Sequence, residues 1–256
     1  VRLSWTLSDN HNLWAAITSA IRTPSYADLG ANITGIGVRP VLPPGVPPNP
    51  FPLPIQVQIT GDPSINSEEL VAYELGYRGR LGERVSLDVS VFHNEYDDLR
   101  RTAMAGLYCD STGEPVNPLA PPPCLLTSTS ILNRIAFESG SEISSDGLEI
   151  AVDWRAAEWL RVTGTYTWLH LSQESAIIDI DQPVAEQSPD HQFSVRGEFA
   201  LREDVDLDVW VRYTGELENA PIIDSAIDSY WSANVRLAWR PVDALELAVT
   251  GQNLTD

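Results

Sequence analysis

From Val205 to Thr214 apolar and polar positions alternate. Val205, Leu207, Val209, Val211 and Tyr213 carry one phase; Asp206, Asp208, Arg212 and Thr214 carry the other, with Trp210 among them. Side chains of a strand point alternately to its two faces, so this segment reads as a strand with one apolar and one charged face. The pattern recurs at Val85, Leu87, Val89 and Val91 against Ser86, Asp88 and Ser90. It recurs again at Leu148, Ile150, Val152 and Trp154 against Glu149, Ala151, Asp153 and Arg155. Each run is close to the roughly 9–11 residues with which a tilted strand crosses a bilayer.

The same period predicts ten strands, over residues 2–8, 12–22, 69–80, 85–97, 131–155, 159–171, 190–201 and 205–216, a ninth that carries Trp231 to Trp239, and a tenth from Leu245 to the chain end. The fifth is expected to break near Gly140 and Gly147 and to project beyond a bilayer. Connections alternate short and long. The long ones cover residues 23–68, 98–130, 172–189 and 217–228, and the first contains Pro43-Pro44-Gly45-Val46-Pro47-Pro48, which suits neither helix nor central strand. Short turns on one side and long loops on the other are the pattern of an outer-membrane barrel. All eight Trp are expected on strands, mostly near their ends, as in an aromatic girdle at the membrane–water boundaries. A soluble β-sandwich also alternates, but its strands are shorter, about 5–6 residues, and its loops do not sort by side. The fold expected is all-β: part of an antiparallel up-and-down transmembrane β-barrel, with open edges.

Composition agrees. Mean hydropathy is −0.13 and 43% of residues are hydrophobic, as fits strands that are apolar on one face only. No run of about 18 apolar residues exists to make a membrane helix. Val1-Arg2-Leu3 opens directly in a strand-like pattern, without a leader, so the chain reads as a piece of something longer. The net charge of −20 argues against a nucleic-acid partner. Much of the acidity falls in two loops: Glu174, Asp179, Asp181, Glu186 and Asp190, then Glu216, Glu218, Asp224 and Asp228. These are either a mouth that concentrates cations or a plain solvated surface.

Candidate chemistry is sparse. The four histidines, His11, His93, His170 and His191, sit on four separate elements without ligand spacing, so no metal or other cofactor is expected. Ser188, Asp190 and His191 lie too close in sequence for a hydrolytic triad, which is assembled in space, and no enzymatic activity is expected. Cys109 and Cys124, in a Pro-rich stretch without a CxxC motif, are expected to form a disulfide in an oxidising compartment.

Three stretches resemble the barrel of TonB-dependent outer-membrane receptors. They are Asn12-Leu13-Trp14-Ala15-Ala16 running to Ile21-Arg22-Thr23-Pro24-Ser25, then Ser67-Glu68-Glu69-Leu70-Val71-Ala72-Tyr73-Glu74-Leu75-Gly76-Tyr77-Arg78, and Gly251-Gln252-Asn253-Leu254-Thr255-Asp256. Their order and spacing match as well. The resemblance implies a barrel of about 22 strands around a plug, in the outer membrane of a Gram-negative bacterium, that imports a scarce small-molecule ligand through TonB. Iron–siderophore complexes, cobalamin and sugars are the ligand classes it implies; a passive porin-like barrel or a soluble β-rich binding domain are the other readings. Haem is disfavoured, since residues 23–68 hold no His. Ten strands are then the C-terminal part of the barrel, with the plug, the TonB-gripped segment and the terminal strand expected outside these 256 residues. Asp88, Asp153, Arg196, Asp206, Asp208, Arg212 and Arg236 fall on the lumenal face, either to contact plug or ligand or because a wet lumen tolerates charge.

Overall fold

The computed structural model describes residues 1–35, 55–116, 130–174, 188–220 and 225–255. The chain begins with β1 (Arg2–Ser8), β2 (His11–Arg22), a short helix α1 (Tyr26–Gly30), β3 (Asn32–Gly35) and β4 (Ile55–Thr60). It continues with β5 (Glu68–Leu81), β6 (Val85–Cys109), β7 (Ile131–Ala157), β8 (Leu160–Glu174), β9 (His191–Arg202) and β10 (Val205–Thr214). Last come β11 (Leu217–Ala220), β12 (Ser225–Ile227), β13 (Tyr230–Val242) and β14 (Leu245–Gly251). Ten of these pair antiparallel with their sequence neighbours in the order β1-β2-β5-β6-β7-β8-β9-β10-β13-β14. The sheet is open: β1 and β14 each have one neighbour on this path. β11 and β12 pair antiparallel in a separate two-stranded sheet.

Register explains the two faces. One unbroken row runs Trp5, Leu13, Tyr77, Val89, Ile150, Tyr166, Phe193, Tyr213, Trp231 across nine strands. The adjacent row reads Thr6, Asn12, Arg78, Asp88, Ala151, Thr165, Ser194, Arg212, Ser232. A slip of one residue between any two strands would mix the rows, so the alternation fixes the pairing throughout. The rows also climb. Leu13 lies beside the short turn of its hairpin, whereas Trp231 lies at the far end of its strand; this progressive stagger is what tilts strands in a barrel wall.

The tryptophans divide differently from expectation. Trp5, Trp154, Trp168, Trp231 and Trp239 join the apolar rows. Trp159 sits in the β7–β8 turn rather than on a strand. Trp14 and Trp210 fall in the polar rows, opposite Gly76 and Arg196. There the rings have other work: Arg2 lies 4.7 Å from the centre of the Trp14 ring, and Arg212 lies 4.3 Å from that of Trp210.

β6 does not end at Asp97 and β7 does not break at Gly140 or Gly147; they pair as far as Cys109 and Ile131. Bulges conceal this in the sequence. Register shifts fall between Tyr96 and Leu99, Leu99 and Arg101, and Met104 and Gly106. Each inserted residue reverses the hydrophobic phase. Asp98, Gly106 and Gly140 take the positive φ values of 55°, 120° and 114° that such kinks need.

The long connection after β2 also holds more than a loop. The Pro43–Pro48 segment lies outside the described residues, but α1, β3 and β4 flank it. β4 adds in parallel to the start of β7, pairing Ile55 with Ile131 through Thr60 with Ala136, and β3 closes on β4. A four-stranded sheet, β3-β4-β7-β6, thus stands beyond the ten-stranded wall. The packed interior lies here: Cys109, Val116, Ile131, Leu132 and Asn133 are buried, while among the described residues of the wall the buried apolar ones are Ile143 and three alanines, Ala16, Ala72 and Ala238.

α1 is pinned to this extension. Ser25 and Asp28 form a reciprocal capping box, Asp28 N–H donating to Ser25 Oγ at 3.3 Å and Ser25 N–H to Asp28 Oδ2 at 2.7 Å. Asp28 is 3% exposed, and Arg100 on β6 donates to its other oxygen at 2.6 Å. The Ser25 backbone and side chain, then Arg100, hold the Asp28 carboxyl down at about 2, so the anchor stays charged at any physiological pH. Beside it Arg22 forks onto Glu68, whose Oε1 also accepts from Arg100 N–H.

Candidate functional site

The polar rows gather charge near the short turns, on the concave face. Asp153 on β7 accepts from Arg161 on β8 at 2.5 Å, and Arg161 reaches Glu198 on β9 at 3.9 Å. Arg196 bridges Glu198 at 3.1 Å and Asp208 on β10 at 3.0 Å. Arg236 on β13 joins Asp208 at 4.0 Å to Glu246 on β14 at 2.5 Å. Arg240 closes the chain between Glu246 at 3.5 Å and Asp206 at 2.6 Å. The belt spans six strands. Its members are half-exposed, so solvent screens each pair, and what the belt supplies is cross-strand register and a neutralised polar wall. A further pair, Arg78 with Asp88, lies on the same face one hairpin away.

Beyond the belt the concave face cups a cavity of about 760 Å³. Trp14, Arg78, Asp88, Phe92, Asn94 and Glu149 line it. Two glycines shape its wall. Gly76 opposes Trp14 and Gly147 opposes Phe92 in register, and a Cβ at either position would overlap the facing ring.

Of the seven charged residues expected in the lumen, five, Asp153, Arg196, Asp206, Asp208 and Arg236, meet in the belt. Asp88 pairs separately with Arg78. Arg212 stands apart, nearer the long-loop end, with its guanidinium over Trp210 and its Nε buried without a partner among the described residues. Sequence reading did not single out Arg78, Arg161, Glu198, Arg240 and Glu246 as partners. Their signal was the alternation itself, but which residues meet depends on inter-strand register, which single-strand patterns do not carry.

The histidines are paired with rings. His11 stacks on Tyr77, His93 on Tyr73, His191 on Tyr166 and His170 on Trp168. His191 Nδ1 lies 3.0 Å from Tyr166 Oη. Of the acidic-loop residues, Asp179, Asp181, Glu186 and Asp224 lie outside the described residues. So does Cys124, whereas Cys109 is 2% exposed at the end of β6.

A family model described as TonB dependent receptor-like, beta-barrel matches residues 1–254. Among solved structures, the ferric enterobactin receptor PfeA from Pseudomonas aeruginosa aligns with a TM-score of 0.67 at 15% identity, over 99% of this chain and 34% of that one. The siderophore receptor PirA from Acinetobacter baumannii aligns at 0.66 and 15%, over 99% and 36%. The ferric-catecholate import receptor Fiu from E. coli K12 aligns at 0.62 and 14%, over 98% and 29%. At these identities the likeness is one of fold. The chain spans about a third of the length of these structures. No curated protein matches it.

Proposed function

We propose, from the premise that the chain belongs to the TonB-dependent receptor β-barrel family, that it forms part of the wall of an importer for an iron–siderophore complex. The barrel sits in the outer membrane of a Gram-negative bacterium, its apolar rows against lipid. A plug domain of the same protein fills the lumen, and TonB supplies the energy. The match of the family model over residues 1–254 carries this reading. The neighbours named as siderophore receptors favour iron chelates over cobalamin and carbohydrate. The two-faced rows supply what such a wall needs: a surface for hydrocarbon and a polar surface for a hydrated occupant.

Uptake tests it. A strain lacking its own siderophore receptors, given the full-length gene, is expected to take up radio-iron from at least one ferric chelate, and to lose that uptake when TonB is deleted. Growth on cobalamin or a sugar without any iron uptake would overturn the ligand class. Uptake that persists without TonB would point to a passive pore.

We also propose that Cys109 and Cys124 pair, closing a loop of about 16 residues beyond the barrel mouth and stabilising it by about 3 kcal/mol. A thiol titration of the full-length protein from outer membranes is expected to find no free cysteine; two reactive thiols would end the idea.

A further inference from the structure

All four histidines of the chain keep the apolar phase. His11 opposes Gly79, beside the short turn between β1 and β2. The other three lie at the far end of the lipid-facing rows. In one row Leu148, Trp168 and His191 stand side by side; in the next, Tyr73, His93, Asp146 and His170 do. On β8 the apolar run counts nine residues from Leu160 to Trp168, so His170 is the eleventh. On β6 His93 is the ninth residue from Val85. A tilted strand crosses a bilayer in roughly 9–11 residues, so this polar row falls where hydrocarbon ends and headgroups begin.

What the imidazoles are free to do differs. His93 is engaged on both sides: Nδ1 lies 2.8 Å from Asp146 and Nε2 lies 3.5 Å from Glu95. His170 and His191 are exposed. Among the described residues no hydrogen bond engages the His170 ring or the Trp168 indole N–H; the two rings stack, 4° from parallel. His191 is bonded at Nδ1 to Tyr166 Oη. With that hydroxyl donating, the neutral imidazole keeps its proton on Nε2 and donates from the opposite side of the ring. Gly215 N–H donates to His191 O at 2.8 Å, and a glycine there leaves the flank of the ring uncovered. His170 stands diagonal to His191 across β8 and β9, a spacing of roughly 7–8 Å, which one phosphate can close with oxygens on both sides. The other basic side chains of the chain are all arginines, and at this end of the wall Arg22 and Arg212 stand in the polar rows. On the lipid side here, imidazole is the basic group among the described residues.

We propose that His170 and His191, with the Trp168 N–H between them, bind a phosphate on the sugar headgroup of an outer-leaflet glycolipid. A phosphate monoester carries three acceptor oxygens and close to two charges, enough for three donors that converge from two strands. A phosphodiester, with one charge and two such oxygens, meets fewer of them. The row one step deeper supplies the ledge on which the headgroup rests. Tyr166, Phe193, Tyr213 and Trp231 follow one another there, with ring centres 5.7 Å apart for Phe193 and Trp231 and 5.1 Å for Tyr213 and Trp231. Such rings suit the boundary between acyl chains and sugars. The site concerns the lipid around the wall rather than its cargo, and shares with the uptake reading only the placement of the apolar rows in the outer membrane.

Full-length protein, purified in detergent and stripped of lipid, is titrated with three probes: an acylated disaccharide bearing phosphate monoesters, the same glycolipid without phosphate, and phosphatidylglycerol. Native mass spectrometry counts the bound lipids. Wild type is expected to bind the phosphorylated glycolipid about tenfold more tightly than either of the others. His170→Ala combined with His191→Ala is expected to reduce that preference to about twofold or less. His170→Arg combined with His191→Arg is expected to keep it, since guanidinium groups donate in the same place. His11→Ala, at the other end of the wall, is expected to keep it too. Heat-modifiable migration on gels confirms that each variant keeps its barrel. An undiminished preference in the alanine pair overturns the site, as does its loss in His11→Ala or a wild type that does not distinguish the two glycolipids. Equal binding of phosphatidylglycerol and the phosphorylated glycolipid overturns the glycolipid as occupant. All of these leave the uptake reading intact. Binding of no lipid by wild type overturns the site together with the placement of the apolar rows in a membrane.

Discussion

Arginine in place of Val209 is expected to destabilise the barrel by about 2–4 kcal/mol if that face meets mid-bilayer hydrocarbon, and to reduce its assembly into the outer membrane. Val209 lies between Gly197 and Val235 in the apolar phase of β10, at the middle of the run from Val205 to Tyr213. A charge there must either stay in lipid or drag water and headgroups toward it. Ala151→Arg supplies the control. Ala151 lies between Asp88 and Thr165 in the adjacent polar row, where a cation meets a carboxylate and water. Urea unfolding of the full-length protein in lipid vesicles separates the two: Val209→Arg should shift the midpoint strongly and Ala151→Arg little. Equal stability of both variants would mean that the apolar rows do not face lipid.

Much of the wall was legible because one rule governs it. Strands that present one face to lipid and one to water must alternate, so Val85 to Val91, Leu148 to Trp154 and Val205 to Tyr213 each announce their faces unaided. Where a second rule intrudes, the pattern fails. Between Tyr96 and Gly106 two bulges reverse the phase of β6, a third falls on β7 between Glu138 and Ser141, and the strand reads as a loop. β3 and β4 were hidden for a different reason: they are short, flank a Pro-rich stretch, and β4 is stabilised by a parallel partner, Ile131 to Ala136, that lies far away in sequence. The capping box of α1 was present as Ser25-Tyr26-Ala27-Asp28, with Asp in place of the usual Glu, and only the Arg100 contact makes clear why that carboxylate is kept short and buried.

The candidate site divides along the same line. Alternation put Asp206, Asp208, Arg196 and Arg236 on one face without help from the fold. It could not say that Asp208 stands between two arginines while Arg212, one step further along the same strand face but for Trp210, stands over an indole instead.

Valine in place of Gly147 is expected to cost about 1–3 kcal/mol, by overpacking rather than by any loss of polar contact. Gly147 pairs with Phe92 across β6 and β7, and the Phe92 ring lies over the glycine so closely that a Cβ would fall among the ring atoms. The arrangement answers a weakness: a strand glycine exposes backbone and packs nothing, and an aromatic ring from the neighbouring strand can cover it. The ring must therefore move if Gly147 gains a side chain, and it would move into the cavity that Trp14, Asn94 and Glu149 also line. Phe92→Ala removes the obstacle, so the double variant is expected to recover most of what Gly147→Val loses, with a coupling of at least about 1 kcal/mol in the cycle. The four proteins can be compared by urea unfolding in vesicles. Additive losses would mean that the ring yields freely, and that the glycine is kept for the backbone of β7 rather than for the side chain that covers it.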